Sequence, residues 1–194
     1  MSKILIAYAT NSGSTAEVAE TLAAELTRQG HNVEVKGCRD VTSLAAYDAV
    51  IIGAPMIFGW HNTARAFVKK HRLELAAKKT AYFACAMRLT RVPGENLPGI
   101  TLTLDPNLVK DPAKTGKKSF KENFTTIGYY LKPMLAAAPK VKPLNVAFFN
   151  GKLEMFRLKW WQAAFIMIVV QASPGDYRDW DAIKAWAQTI ASAV

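Results

Sequence analysis

Two spacings of apolar residues alternate along the chain. Ile4-Leu5-Ile6-Ala7-Tyr8, Ala49-Val50-Ile51-Ile52, Thr80-Ala81-Tyr82-Phe83-Ala84-Cys85-Ala86 and Leu144-Asn145-Val146-Ala147-Phe148-Phe149 are short apolar runs, and each predicts a strand. The run from Ala49 to Ile52 has no polar position, as expected of a central parallel strand covered on both faces. His31 to Lys36 alternates instead and predicts a half-exposed strand after a turn at Gly30. Between the strands the spacing becomes helical. Val18, Ala19, Leu22, Ala23 and Leu26 form one stripe; Phe67, Val68, His71 and Leu75 form another, on a helix from about Thr63 to Ala77. Phe120, Phe124, Ile127, Leu131 and Met134 form a third, which Pro133 should kink or end. Ile183, Trp186, Ala187 and Ile190 place a last helix from about Trp180. Five strands alternating with helices predict an α/β fold, a doubly wound parallel sheet with helices on both faces.

Two stretches depart from that rhythm. From about 88 to 116, Pro93, Pro98, Pro106 and Pro112 with Gly94 and Gly99 mark turns, and so long a connection predicts a functional or lid-like excursion. From about 150 to 175 the chain carries Lys152, Arg157 and Lys159 and then the apolar run Trp160 to Val170. That run is shorter than the ~20 apolar residues of a bilayer span. Its tryptophans and the cations before it suit the membrane interface; a helix buried on all sides, or at the seam of a homodimer, is the alternative. The whole chain, 1–194, reads as one domain carrying these two additions.

The pattern acquires chemistry at the junction after the first strand. Thr10-Asn11-Ser12-Gly13-Ser14-Thr15 lies between a strand and a helix. The first amides of a helix lack partners within it and, with the helix dipole behind them, favour a phosphate. Hydroxyls at Thr10, Ser12, Ser14 and Thr15, the amide of Asn11 and the close approach allowed by Gly13 complete the loop. It holds no lysine for a triphosphate and no Gly-x-Gly-x-x-Gly for a pyrophosphate, so a phosphomonoester fits best. A turn rich in capping residues is the plainer reading. A second loop, Pro55-Met56-Ile57-Phe58-Gly59-Trp60, leaves the carboxyl end of a central strand, where open α/β sheets bind ligands. Its rings either meet a ligand or tuck into the core. Ala86, Met87 and Arg88 begin a third loop at the same end. Lys114-Thr115-Gly116-Lys117-Lys118-Ser119 lacks the first glycine of an ATP loop and has Lys118 where a hydroxyl residue belongs, which excludes that site.

Tyr8-x-Thr10-x-Ser12-Gly13-x-Thr15, followed by Ala19 and Leu22, resembles the flavodoxin signature, although Ala7 stands where a larger apolar residue is usual. The resemblance implies a flavodoxin-like five-stranded sheet of order 2-1-3-4-5 and FMN as cofactor, its phosphate held by Thr10, Asn11, Ser12, Gly13, Ser14 and Thr15. It also implies that Pro55, Met56, Ile57, Phe58, Gly59 and Trp60, with Ala86, Met87 and Arg88, flank the isoalloxazine ring, Phe58 or Trp60 stacking on it. Phe58-Gly59, Phe67-Val68-Lys69-Lys70-His71, the basic and aromatic stretch at 150–175 and Asp179-Trp180 are similar to the quinone-dependent, flavodoxin-like protoporphyrinogen oxidases of haem synthesis. That likeness covers most of the chain and is poor from Leu89 to Lys114. It implies an FMN oxidoreductase passing electron pairs from a porphyrinogen, a hydrophobic anionic substrate, to a membrane quinone, with no side chain standing out as acid or base. The alternatives on this fold are an NAD(P)H:quinone reductase, a non-catalytic electron-transfer flavodoxin and a membrane-recruited binding module without FMN.

Charge separates these readings in part. The formal net charge of +10, from 25 Lys and Arg against 15 Asp and Glu, favours anionic partners, whereas shuttle flavodoxins are typically acidic. Lys110, Lys114, Lys117, Lys118 and Lys121, against Asp111, either meet a carboxylate-rich substrate or form a solvated face. Aromatic and basic residues do not interleave as in nucleic-acid modules, so nucleic acid is not an expected partner. Cys38 and Cys85 suggest a reducing compartment without a disulfide framework or zinc site, a single long-range pair being the alternative, with Cys85 packing as a small apolar group. His31, His61 and His71 have no metal-ligand spacing; each reads as a surface or cap residue, and no metal is expected. The amino terminus enters a strand at once, so the expected location is the cytoplasm, with peripheral contact at the inner face of the cell membrane.

Overall fold

Continuous apolar strands need cover on both faces, and two layers of helices supply it. The computed structural model describes residues 1–57, 59–92, 99–112, 120–153 and 174–194. In chain order its elements are β1 (Lys3–Tyr8), α1 (Ser14–Arg28), β2 (Asn32–Gly37), β3 (Ala49–Pro55), α2 (Asn62–Lys70), α3 (Arg72–Ala76), β4 (Lys79–Ala86), β5 (Leu89–Thr90), β6 (Leu102–Leu104), β7 (Val109–Lys110), α4 (Phe120–Asn123), α5 (Ile127–Ala136), β8 (Asn145–Asn150), β9 (Lys152–Leu153), β10 (Gly175–Asp176) and α6 (Trp180–Ala191). The main sheet has the order β2-β1-β3-β4-β8-β6, with every neighbouring pair parallel.

Successive residues of each strand serve opposite faces. Leu5, Val50, Ile52, Tyr82, Val146 and Phe148 build one core with Phe67 and Val68 of α2, Leu75 of α3 and Leu131 and Met134 of α5. Ile4, Ile6, Ile51, Phe83, Cys85 and Phe149 build the other with Val18, Leu22 and Leu26 of α1 and Ile183, Trp186 and Ile190 of α6. The one polar group on the Trp186 ring is satisfied, its Nε1 donating to the buried Asn145 Oδ1 at 2.9 Å.

The expected order holds for β2, β1, β3, β4 and β8, and the strand count does not. A sixth strand, β6, pairs with β8 through Leu102 to Val146, Thr103 to Ala147 and Leu104 to Phe148. It comes from the stretch expected to be an excursion. Asp105 seals the junction: its amide donates to the Phe148 carbonyl at 2.9 Å, and its buried carboxylate accepts from the amides of Asn150 at 3.0 Å and Asn107 at 2.8 Å.

Two helix expectations also change. The helix expected from Thr63 to Ala77 breaks at His71, where ψ is 18°. The buried His71 ring turns to Glu74 at 2.9 Å, and Glu74 in turn accepts from the Leu44 amide at 3.2 Å. The stripe from Phe120 to Met134 divides into α4 and α5, with Thr126 capping α5 by accepting from the Tyr129 amide at 3.1 Å. Pro133 does not end α5, which runs on to Ala136; the buried Leu131 and Met134 hold the helix down despite the missing N–H.

Gly53 of β3 shows how tightly the faces pack. A Cβ there would lie 1.8 Å from Cζ of Phe83, a ring held against Phe149 and Trp186, each at a centroid separation of 6.1 Å. Gly53→Ala is expected to destabilise the fold by about 1–3 kcal/mol, seen as a lower urea midpoint at constant m. An unchanged midpoint would show that the ring yields freely.

Candidate functional site

The carboxyl ends of β1, β3 and β4 lie side by side, and hydrogen bonds join the loops that leave them. The Ala9 amide donates to the Gly53 carbonyl at 2.9 Å, and the Met56 amide to the Cys85 carbonyl at 2.8 Å. The chain steps from β1 outward to β2 and then back across β1 to β3. That reversal opens a crevice at the end of β1, the place where open α/β sheets hold ligands.

The first loop turns sharply into α1. Thr10 Oγ1 accepts from the Gly13 amide at 2.9 Å, and Gly13 takes φ 93°, a left-handed conformation costly for any residue with a Cβ. Among the described residues no side chain caps α1, so its first-turn amides remain aimed into the crevice. Thr15 is fully buried; its Oγ1 makes no well-formed hydrogen bond among the described residues and lies against the Cys85 thiol. An uncapped helix end is the arrangement a phosphate oxygen satisfies. Ser12 and Ser14 complete the loop, each partly exposed.

The second loop folds back on itself. Met56 and Trp60 form an antiparallel bridge, the Ile57 amide donates to the Gly59 carbonyl at 3.1 Å, and Gly59 has φ 108°. Trp60 is 1% exposed and packs on Tyr82 at 5.4 Å. It thus takes the core position that stood as the alternative to ligand stacking, while Ile57 and Gly59 are partly exposed at the surface of the loop. Phe58, Arg157 and the run Trp160 to Val170 lie outside the described residues, as do Lys114, Lys117 and Lys118.

Sequence reading missed the two links that fix these loops. His61 caps α2: Nδ1 accepts from the Thr63 amide at 3.2 Å, which leaves the proton on Nε2 to donate to Asn11 Oδ1 at 3.0 Å. One imidazole therefore ties the first loop to the second. Arg178, 2% exposed in its side chain, bonds Asp176 at 2.6 Å, Glu17 at 2.8 Å and the Ser14 carbonyl at 3.2 Å. It lies 4.3 Å over the Trp180 ring and holds the Asp176 carboxyl below its usual range. So the start of α1 is clamped by a residue near the other end of the chain. Asp179, next in the chain, caps α6; no motif marked Arg178.

At the third loop Ala86 is buried and Met87 and Arg88 are partly exposed. Arg88 Nη2 is 3.5 Å from the buried Glu122, and the Tyr130 hydroxyl donates to the Arg88 carbonyl at 3.2 Å. The two cysteines supply no reactive thiolate. Burial pushes Cys85 and Cys38 each up to about 12.

A doubly wound parallel sheet with an uncapped, glycine-turned helix start at its switch point is the architecture of a flavin-binding flavodoxin domain. The flavodoxin domain family matches residues 5–179, and the chain belongs to it; the cofactor of flavodoxin domains is FMN. Among curated proteins, protoporphyrinogen IX dehydrogenase (quinone) of Escherichia coli (strain K12) is 26% identical over 200 residues, covering 97% of this chain and 94% of that one. Among solved structures, oxidised flavodoxin 2 from Bacillus cereus superposes with a TM-score of 0.51 at 17% identity, over 99% of both chains. An archaeal flavodoxin gives 0.50 at 12% identity, over 98% of this chain and 97% of that one. Both show the same fold.

Two outcomes test the loop geometry. Gly13→Ala is expected to cost about 1–2 kcal/mol of stability and to weaken FMN binding in fluorescence titration; unchanged affinity would show that the left-handed turn is dispensable. His61 offers a pH signature. Burial, and then the nearby Arg39, lowers its pKa, so the folded protein favours the neutral ring that can cap α2. This stabilisation is present in full above the ordinary histidine value of about 6.5 and disappears as pH falls through the lowered value. Wild-type stability should therefore decline in that acid window more than that of His61→Ala, and parallel curves would remove His61 from the account.

Proposed function

We propose that this protein is an FMN-dependent protoporphyrinogen IX dehydrogenase that delivers electrons to a quinone. One observation carries the reading: the match to the E. coli dehydrogenase extends over 97% of this chain, so it takes in both stretches that exceed a minimal doubly wound domain. The positive charge of +10 supports an anionic substrate over a simple acidic shuttle.

The proposed division of labour follows the loops. Thr10, Asn11, Ser12, Gly13, Ser14 and Thr15 would hold the FMN phosphate with the first amides of α1 and the Thr15 hydroxyl. Pro55, Met56, Ile57, Phe58 and Gly59 would flank one side of the ring system and Ala86 and Met87 another, with Trp60 bracing the second loop from the core. FMN when bound supplies the two-electron redox chemistry. Electron pairs leave the porphyrinogen with their protons as the porphyrin forms, and each pair reduces one quinone to a quinol. The chain's contribution is to place the substrate against the ring and keep the loops fixed. No described helix is long and apolar enough to cross a membrane; contact with a quinone at the membrane surface is assigned to Trp160 to Val170, and the protein to the cytoplasmic side.

The test is anaerobic oxidation of protoporphyrinogen IX by the FMN-loaded protein, with and without a menaquinone analogue, followed by porphyrin fluorescence. Quinone-dependent porphyrin production well above an FMN-only blank is expected. Bound flavin with no porphyrin above that blank would overturn the substrate assignment.

A further inference from the structure

Arg88 leaves β4 with its main chain fixed and its side chain hardly committed. Its carbonyl accepts from the buried Tyr130 hydroxyl at 3.2 Å, and the next amide, of Leu89, donates to the Leu108 carbonyl at 3.2 Å. The guanidinium reaches a carboxylate, Glu122, at 3.5 Å, which is long for a charge-assisted bond. Nε is closed off from solvent and has no hydrogen-bond partner among the described residues, yet the side chain as a whole is 31% exposed. Glu122, at 2%, cannot swing out to solvent. It orients Arg88 without filling the fork of donors that suits a planar carboxylate.

The segment that carries Glu122 and Tyr130 also exposes rings. Phe124, close after Glu122 in the chain, is 39% exposed and Tyr129 40%. They meet edge to face at 5.5 Å, and Tyr129 adjoins Tyr130, the residue that holds the Arg88 carbonyl, at 6.2 Å. A cationic fork only partly engaged, approached by a segment that also exposes aromatic rings, suits a broad apolar molecule with carboxylates at its rim.

We infer that Arg88, oriented by Glu122, is the subsite for a substrate carboxylate, and that it is not a ligand of the flavin. The inference rests on the porphyrinogen reading above. It makes Arg88 a specificity-determining residue, placed at the ligand-binding end of the sheet where its carboxylate partner would lie beside the third loop.

The experiment is equilibrium binding of mesoporphyrin IX, which has free carboxylates, and of its dimethyl ester, which has none, to the FMN-loaded full chain by porphyrin fluorescence. Wild-type protein should prefer the diacid. Arg88→Gln should bind the diacid about tenfold more weakly and the ester unchanged, and Arg88→Lys, which keeps the charge and loses the fork, should recover part of the difference. FMN affinity should stay the same in both variants. A loss of FMN affinity in Arg88→Gln would make Arg88 a flavin ligand and overturn the inference. An equal loss for diacid and ester, or no loss for either, would overturn it as well. If FMN-loaded wild-type protein binds neither porphyrin, the porphyrinogen reading itself fails and the subsite falls with it.

Discussion

The parallel ladder on both sides of β1 is the constraint from which the site follows. β1 pairs with β2 along one edge and with β3 along the other, so the loops after β1 and β3 leave the same end in divergent directions and a gap opens between them. A parallel sheet also needs helical crossovers, and the first of these must begin at that gap. The amino end of α1 is therefore delivered to the crevice by topology. The local sequence only has to keep it uncapped, which Gly13 does by offering no side chain and by accepting a left-handed φ.

A crevice made of loops would be imprecise without restraints on the loops. Three independent ones act here. The Asn11 to His61 bond couples the first loop to the second at the surface. Trp60, packed on Tyr82, fixes the second loop from below, its buried indole N–H without a partner among the described residues. Arg178 draws Glu17 and Ser14 to the chain's last segment. Because that guanidinium is surrounded by Asp176 and Glu17, it adds little net positive charge behind the phosphate loop. Its role is geometric.

The sequence displayed most of the fold because burial on both faces writes itself into the strands. Ala49 to Ile52 can be nothing but a central strand, and its full burial follows. The α6 stripe of Ile183, Trp186, Ala187 and Ile190 is likewise legible, since Asp179 marks where it starts. What stayed hidden depends on partners distant in sequence. β6 is a three-residue alternation, Leu-Thr-Leu, near Pro98 and Pro106; only the free edge of β8 makes it a strand. Arg178 looks like a surface residue until Ser14, on the far side of the chain, is placed against it. For the site, the signature residues were readable because helix starts and small polar loops carry local chemistry, whereas the choice between core and ligand for Trp60 is a packing question that spacing cannot answer.

The two edges of the sheet are handled differently, and the difference bears on function. At the β2 edge Lys36 and Glu34 form an ion pair at 2.7 Å with Tyr47 bonded to Glu34 at 2.6 Å, and charges of this kind discourage another strand from adding. At the opposite edge β8 is covered by β6, and Asp105 takes up the Asn150 amide at the end of β8. The stretch between β4 and α5 therefore does more than cross from one strand to the next. In closing the edge it sets β5 against β7 and fixes Thr90 to Thr125 at 2.7 Å. Those contacts carry Glu122 and Tyr130 to Arg88. An addition that covers a sheet edge thereby also brings Glu122 and Tyr130 against Arg88 at the carboxyl end of β4.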